Sequence, residues 1–341
     1  MFRILYNYLG RFGYGNADVT KKNESNESNE SNESNESNKR DITNLVFEGG
    51  GVKGVAYIGV IQHLNELGLL KNIKAFSGSS AGAITASLLA IGCDYNDIVD
   101  NLYDIDFKKF LDNDKNIILD AVHLIKEYGA CSGEYFFEWL GEIINKKTND
   151  KDYTLGNLWN DKGIDLVITT TELNHMEPVY LSYRTHPDIS IRYAVRLSMS
   201  IPYIFEAIRY NDNIYVDAGL MDNYPLHVFD GEYPGDPKAI TGTIKPNNRT
   251  LGVRMIGNND DIQGVSSKTN INITGLKTFT MTVLNSMMKS TSRQYSSKRY
   301  WKRSIVINTG DISGVDFSLS DEEKKTLQNN GYLSTKKYFL K

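Results

Sequence analysis

Two consecutive units of strand, glycine turn and helix constrain the fold of this chain more than any other feature. In the first unit, the apolar run 45–47 stops at the triple glycine 49–51, and apolar residues then recur at helical spacing. In the second unit, residues 73–77 lead into the small-residue turn 78–82, and an Ala- and Leu-rich helix follows. Strands that alternate with helices predict an α/β protein with a mostly parallel sheet covered on both faces.

The later part of the chain continues the same alternation. Six further runs rich in apolar and β-branched residues predict strands, at residues 164–170, 178–183, 204–210, 214–216, 251–256 and 304–307. Asn211-Asp212-Asn213 separates two of these runs and predicts a hairpin turn. Residues 274–298 are expected to be helical, and Ser320 with Glu323 matches a capping box that begins a final helix.

Residues 1–22 are interpreted as an amphipathic N-terminal segment. Four apolar residues recur there at helical spacing, opposite Arg3, Asn7 and Arg11. The segment lacks an uninterrupted apolar stretch, which disfavours a secretory signal. An interfacial membrane anchor, an organellar presequence and a frayed terminus remain as alternatives.

Residues 23–40 are expected to form a disordered linker. The triplet Asn-Glu-Ser occurs five times in succession between residues 23 and 37 and has no apolar member. Such a repeat buries nothing to offset the entropy lost on ordering. Each triplet also fits the acceptor pattern for N-linked glycosylation, but without a secretory signal a solvated tether is the favoured interpretation.

Composition narrows the class of protein. The 341 residues carry a formal net charge of −4, and the sequence pI is about 5.8, which does not fit a nucleic-acid-binding protein. Cys93 and Cys131 are the only cysteines, so neither a disulfide framework nor a zinc site is expected. The charge-free run 77–93 is too short and too polar for a membrane span. We therefore expect a protein that is soluble or peripheral at a membrane surface. The sequence does not determine its compartment, and an intracellular location is the simplest expectation.

The turn after the second strand matches a nucleophile elbow. Gly78-x-Ser80-x-Gly82 lies where a strand ends and a helix begins, as this motif requires. A serine on such a strained turn exposes its Oγ atom, and the flanking glycines relieve steric clashes. The alternative is a small-residue helix start without chemistry.

The glycine loop at residues 49–54 allows two interpretations. Backbone amides at a helix start bind either a pyrophosphate or an oxyanion. A dinucleotide-binding fold needs an acidic residue after the next strand, and Ser77-Gly78 offers none, so the oxyanion is favoured. Lys53 opposes the helix dipole at this position, which suggests a pairing or interfacial role or simply a solvated side chain.

A serine nucleophile needs a proton acceptor. Five histidines are present, at positions 63, 123, 175, 186 and 227, and none lies in a recognisable signature. His227 alone follows a suitable acid in the order Ser, Asp, His. Asp217 is the better candidate because it directly follows an apolar strand, although an aspartate before glycine is also common in turns.

Taken together, these loops resemble the patatin-like phospholipase family. The resemblance rests on Gly49–Gly54, Gly78–Gly82 and Asp217-Ala218-Gly219, each at a strand end and in this order, and on the segment 198–205; it covers about residues 44–228. It implies a three-layer α/β/α sandwich with residues 42–230 as the patatin-like catalytic core. Residues 231–341 carry no family motif, and their strands and helices are expected to complete the same domain.

The resemblance also implies a chemistry. Ser80 would be the nucleophile of a Ser–Asp dyad, Asp217 its proton acceptor, and Gly49, Gly50 and Gly51 the oxyanion donors. Supporting motif positions are Lys53, Gly54, Gly78, Gly82, Ala218 and Gly219. The substrate would be a phospholipid or neutral lipid at a membrane or lipid-droplet surface, cleaved without a metal or other cofactor.

One departure from the family pattern is Ala218, at a position where the family usually has glycine. A methyl group is tolerated there if the backbone φ stays negative. Two alternatives to the dyad remain: an esterase of α/β-hydrolase type with a triad that includes His227, and a catalytically silent lipid-binding module.

Overall fold

The computed structural model describes residues 41–103, 105–111, 124, 126–231, 245–258, 272–293 and 297–340. These residues belong to one compact unit. The expected amphipathic segment, the repeat linker and His123 lie outside the described residues.

Ten strands occur in the described part of the chain. They are β1 (Asn44–Phe47), β2 (Ala75–Ser79), β3 (Gly129–Cys131), β4 (Asp165–Glu172), β5 (Glu177–Leu181), β6 (Tyr203–Phe205), β7 (Ile208–Tyr210), β8 (Asn213–Val216), β9 (Thr250–Ile256) and β10 (Ser304–Asn308).

Nine α-helices accompany these strands within the same residues. They are α1 (Ala56–Glu66), α2 (Ala81–Ile91), α3 (Tyr95–Leu102), α4 (Glu134–Thr148), α5 (Leu155–Lys162), α6 (Ile191–Ser198), α7 (Leu276–Arg293), α8 (Lys298–Trp301) and α9 (Asp321–Phe339). Of the described helices, none has both the length and the apolar composition needed to cross a bilayer.

Eight strands form one mixed sheet in the order β10-β9-β1-β2-β4-β8-β7, with β5 also paired to β4. The first five strands of this order are parallel. β5 and β8 each pair antiparallel with β4, and β7 pairs antiparallel with β8. Helices α1, α3 and α9 pack together, and α2, α4 and α6 pack together, around this sheet. The predicted three-layer α/β/α fold with a mostly parallel sheet is confirmed.

The segment 204–210, expected to be one strand, is divided between two sheets. β6 pairs with β3 in a separate two-stranded sheet, whereas β7 pairs with β8 in the main sheet. The backbone N–H groups of Glu206 and Ala207 still donate to residues on the β3 side, which is where the chain changes sheets. The predicted hairpin is confirmed, and Asn211 and Asp212 both have positive φ, as its tight turn requires.

Helix α9 packs closely on α1, the helix that follows the glycine loop. A Cβ atom on Gly59 would lie 1.8 Å from the Gln328 carbonyl oxygen, and one on Gly331 would lie 2.0 Å from the Ala56 carbonyl oxygen. Both glycines let the backbones of the two helices approach. The C-terminal helix therefore holds the helix on which the glycine loop depends.

We expect Gly59→Ala to destabilise the protein by about 1–3 kcal/mol, because overpacking a closed contact outweighs the ~1 kcal/mol gain in helix propensity. The free energy of unfolding in urea measures the effect. Asn65→Ala, on an exposed position of the same helix, is the control and should change stability little. Equal or greater stability of Gly59→Ala would contradict the close packing.

Candidate active site

Ser80 occupies the turn between β2 and α2. Its backbone dihedrals are φ 51° and ψ −121°, a region that non-glycine residues rarely adopt. The Ser80 N–H donates to Ser198 Oγ at 2.8 Å, which holds the turn from the neighbouring segment. The backbone geometry is that of a nucleophile elbow.

The two glycines around Ser80 are required by close approach. A Cβ atom on Gly82 would lie 2.2 Å from the Phe47 carbonyl oxygen, and one on Gly78 would lie 2.3 Å from the Gly82 carbonyl carbon. The start of α2 thus sits directly against the end of β1. This contact brings the glycine loop and the serine turn together.

The glycine loop leaves β1 and continues into a 3₁₀ turn that precedes α1. Gly51 has φ 57°, and a Cβ atom there would lie 1.9 Å from the Gly314 carbonyl oxygen, so only glycine fits. No acceptor within the described residues takes the N–H group of Gly50 or Gly51. These two amides are therefore available at the start of the turn.

Gly49 differs from the sequence-based expectation. Its N–H group donates to the Asn223 backbone carbonyl oxygen at 2.9 Å. This amide therefore already has an acceptor, and its hydrogen bond helps to fix the loop. The reason is tertiary, because the acceptor belongs to a loop 174 residues further along the chain. The amide of Ala81, which directly follows Ser80, has no acceptor among the described residues.

Lys53 and Gly54 lie in the 3₁₀ turn Gly51–Val55. Gly54 faces the Ala81 side chain, since a Cβ atom on Gly54 would lie 3.2 Å from the Ala81 Cβ atom, so the two loops are in contact here. The Lys53 side chain is partly buried and lies beside Gly50 and Gly314. Its pairing or interfacial role stays a prediction.

Asp217 is placed by strand register. Val216 of β8 pairs with Thr171 of β4, and Thr169 of β4 pairs with Ser79 of β2. β8 is antiparallel to β4, but it overlaps only the last residues of β4, so its end stays at the edge of the sheet where β2 ends. β4 lies between β2 and β8, so Asp217 and Ser80 lie near each other at this edge of the sheet.

The segment Ser198–Ser200 holds both residues. Ser198 Oγ accepts the N–H of Ser80, and the Ser200 carbonyl oxygen accepts the N–H of Asp217 at 2.8 Å. Arg196 is buried and donates to Ser200 Oγ at 2.5 Å, which fixes this segment in turn. The role of this segment could not be predicted from the sequence, because its hydrogen bond to Ser80 spans 118 residues and the contact with Asp217 is also non-local.

The Asp217 carboxylate is buried, with 1% of the residue exposed. Its Oδ1 atom accepts the Gly219 N–H at 2.7 Å, whereas Oδ2 has no hydrogen-bond partner among the described residues. Burial raises the pKa of Asp217 to about 6, against opposing contributions from the Ser80 side chain and the Gly219 amide. Ser80 is thus near enough to influence the carboxyl group, but it does not make a hydrogen bond of good geometry with Oδ2.

Ala218 begins a 3₁₀ turn that includes Gly219 and ends at Leu220. It is not among the residues with positive φ, so the condition for tolerating its methyl group is met. Gly219 lies against the Met288 side chain of α7, where a Cβ atom would come within 2.6 Å of the Met288 Cε atom.

Asn223 is a site residue that sequence analysis missed. The Asn223 Nδ2 atom donates to the Gly49 carbonyl oxygen at 3.0 Å, and the Asn223 backbone carbonyl oxygen accepts the Gly49 N–H. Asn223 is buried, and its Oδ1 atom has no partner within the described residues. A polar residue six positions after Asp217 was the available signal, but spacing alone does not reveal its contact with Gly49.

His227, the candidate base of a triad, faces another part of the structure. Its Nε2 atom lies 3.1 Å from the Tyr180 hydroxyl oxygen, and its Nδ1 atom lies 3.7 Å from Asp222 Oδ2. The two ring nitrogens are thus directed at a buried Tyr–Asp pair. This geometry favours a structural role for His227.

The other described histidines are also engaged elsewhere. His63 contacts Glu66 on the surface of α1, and His175 contacts Glu172 at the end of β4. Burial lowers the pKa of His186, whose ring packs near Tyr210.

Within the described residues, one group has donor atoms close enough to hold a metal ion. Glu172, His175 and Glu177 lie at the turn between β4 and β5, with one ligand atom of each within 4.8 Å of the others. Glu172 is buried and the other two are exposed. None of these three residues was predicted from the sequence to be a metal ligand.

Comparison with known proteins decides the family. The model of the patatin-like phospholipase family matches residues 45–230, which is more than half of the chain. The chain belongs to the patatin-like phospholipase family. The predicted resemblance is confirmed, and membership assigns lipid hydrolase chemistry to the chain as a class.

Relatives of this patatin-like protein occur in viruses and yeast. An uncharacterized protein of Acanthamoeba polyphaga mimivirus is 28% identical over 302 residues, covering 88% of this chain and 94% of the relative. A probable lipid hydrolase of Invertebrate iridescent virus 6 is 29% identical and covers 54% of this chain and 62% of its own. Triacylglycerol lipase 4 of Saccharomyces cerevisiae is 31% identical and covers 48% of this chain and 18% of its own.

The fold of the patatin-like chain is also similar to that of a solved structure. VipD from Legionella pneumophila superimposes with a TM-score of 0.56 at 21% identity, covering 88% of this chain and 67% of VipD. At this identity the likeness concerns the fold.

The buried carboxylate predicts a stability effect in this patatin-like protein. The pKa of Asp217 is about 6 in the folded state and about 3.9 in an unfolded chain, so ionisation opposes folding increasingly as pH rises from about 4 to 6. Asp217→Asn should therefore stabilise the fold by ~2–3 kcal/mol at pH 8 and by little at pH 4. Urea unfolding of both proteins at the two pH values measures this difference. A gain of the same size at both pH values would contradict the raised pKa.

Proposed function

We propose that this protein hydrolyses carboxylic ester bonds of lipids, with Ser80 as nucleophile and Asp217 as proton acceptor. The observation that carries the proposal is the strained Ser80 turn beside a buried carboxyl group whose pKa is about 6. A general base is most effective when its pKa lies near the working pH. An aspartate at its ordinary pKa near 3.9 would be a much weaker base.

In the first half of the reaction, Ser80 Oγ attacks the ester carbonyl carbon and its proton passes to Asp217. Oδ2 is the suitable acceptor atom, because Oδ1 is occupied by the Gly219 N–H. The tetrahedral intermediate then expels the alcohol, which takes the proton from Asp217. An acyl group remains on Ser80.

The negatively charged oxygen of the tetrahedral intermediate needs hydrogen-bond donors to stabilise it. We assign this role to the amides of Gly50, Gly51 and Ala81, which have no acceptor among the described residues. An amide directly after the nucleophile and one from a neighbouring loop are the usual pair at a nucleophile elbow. Each donor of this kind contributes about 3–4 kcal/mol to transition-state stabilisation.

In the second half, water attacks the acyl carbon and gives its proton to Asp217. Collapse of the second intermediate breaks the bond to Ser80 Oγ, which recovers the proton as the fatty acid leaves. Aspartate thus accepts and returns one proton in each half.

The substrate class follows from the family. Phospholipids and neutral lipids both present carboxylic esters, and one relative carries the name of a triacylglycerol lipase. We propose a lipid substrate at a membrane or lipid-droplet surface, with no cofactor taking part.

Ser80→Ala and Asp217→Asn should each lower ester hydrolysis by at least about a thousandfold, because the nucleophile or its proton acceptor is lost. Mass-spectrometric analysis of products from mixed lipids measures the loss. Ser77→Ala is the matched control, since the Ser77 hydroxyl is buried on β2 without a partner in the described structure. It should retain activity.

A fluorophosphonate ester probe tests whether the serine is reactive at all. Labelling at Ser80 in the wild type but not in Ser80→Ala supports the proposal. Absence of labelling in a folded wild-type protein would favour a silent lipid-binding module.

The pH dependence tests the identity of the base. Because Asp217 must be ionised, kcat/KM should fall about tenfold per pH unit below a pKa of about 6 and level off above it. Initial rates on a soluble ester between pH 4.5 and 8 measure the profile. A midpoint near 7 that disappears in His227→Gln would contradict the dyad and favour a histidine base.

A further inference from the structure

Helix α7 and the residue just before it expose a row of large apolar side chains on the side away from the protein. Ile273, just before the helix, and Phe279, Val283 and Met287 within it are 49%, 54%, 42% and 42% exposed. We call these four residues the outer stripe. A surface helix normally keeps polar side chains on its outer face, so an exposed apolar row there is unusual.

Helical geometry places the outer stripe on one face. Phe279, Val283 and Met287 are spaced by four residues and therefore lie in line along the helix. The opposite face carries Leu284, which is 4% exposed, and Met288. The outer stripe lines a groove of about 330 Å³ that opens on this surface.

The inner face of the same helix touches the loops of the candidate active site. Thr291 Oγ1 donates to the Gly219 carbonyl oxygen at 3.1 Å, and Ser292 Oγ donates to Glu48 Oε1 at 2.8 Å. Asn223, which holds Gly49, also donates to Ser292 Oγ. Whatever binds the outer stripe is thus held one helix diameter from the loops after β1 and β8.

The charge of this segment is opposite to that of the whole chain. Residues 272–302 contain six Lys or Arg and no Asp or Glu, although the chain as a whole has 42 acidic residues and a net charge of −4. An apolar stripe on a basic, acid-free segment is the composition of helices that lie in the surface of an anionic membrane.

We propose that α7 docks the protein on an anionic lipid bilayer by inserting the outer stripe among the lipids, which brings the Ser80 site to its substrate. This inference rests on the proposed lipid hydrolase function for its purpose. Basic residues of the segment would attract the anionic headgroups, and the apolar side chains would supply the buried area. The occupant is a lipid surface, and not a second copy of the chain or another protein.

Vesicle binding by the full-length protein tests the proposal. The triple variant Phe279→Ser, Val283→Ser and Met287→Ser should bind phosphatidylcholine vesicles that contain phosphatidylserine about tenfold or more weakly than the wild type in a sedimentation assay. Wild-type binding should also weaken with added salt. Leu333→Ser, which removes an equally exposed apolar side chain from α9, is the control and should bind normally.

Two substrates separate this proposal from the proposed function. On a soluble short-chain ester, the triple variant should keep the wild-type rate, which also shows that it is folded. On vesicle lipids, its rate should fall in proportion to binding. A wild-type protein that hydrolyses neither substrate, but whose vesicle binding depends on the outer stripe, would overturn the function and leave the docking intact.

Other outcomes overturn the docking. Unchanged vesicle binding by the triple variant removes the outer stripe from membrane contact. If the wild type instead forms dimers that the triple variant disperses, with vesicle binding unaffected, the stripe is an interface between copies of the chain.

Discussion

The buried carboxylate of Asp217 is the constraint on which the site depends. An ionised group with one oxygen unsatisfied opposes folding, because the interior solvates charge poorly. The same burial raises the pKa to about 6, which suits the group to the role of proton acceptor that we propose for it. In the proposed mechanism, stability and chemistry are therefore coupled through one side chain.

Strand pairing and one loop segment bring this group near Ser80. The pairing of β2, β4 and β8 sets the two residues on either side of one strand. The Ser198–Ser200 segment then binds the backbone amides of both, and Arg196 fixes that segment. A strained serine and an unfavourable carboxylate persist because the surrounding hydrogen bonds over-determine their positions.

Features that depend on residues close in sequence could be predicted, whereas features that depend on distant residues could not. The serine turn, the Asn211–Asp212 hairpin and the Ser320 capping box depend on neighbouring residues, so local rules predicted all three. The division of segment 204–210 between two sheets depends on β3, which is distant in sequence. The hydrogen bond from the Gly49 amide to Asn223 was likewise not predicted, since Asn223 is 174 residues away in the sequence. The domain boundaries, including the extent of the linker, stay predictions.

By itself the sequence determined the family, the α/β class and the residue types that the proposed chemistry needs. Glycine turns, apolar periodicity and strand-end motifs can all be recognised from residues that are neighbours in the sequence. Only the tertiary structure decided which of those groups meet. It buried Asp217 and so raised its pKa, determined which loop amides have no acceptor among the described residues, and exposed Phe279, Val283 and Met287 on the outer face of α7. These properties arise from desolvation and from contacts between distant segments, and neither quantity is a function of neighbouring residues alone.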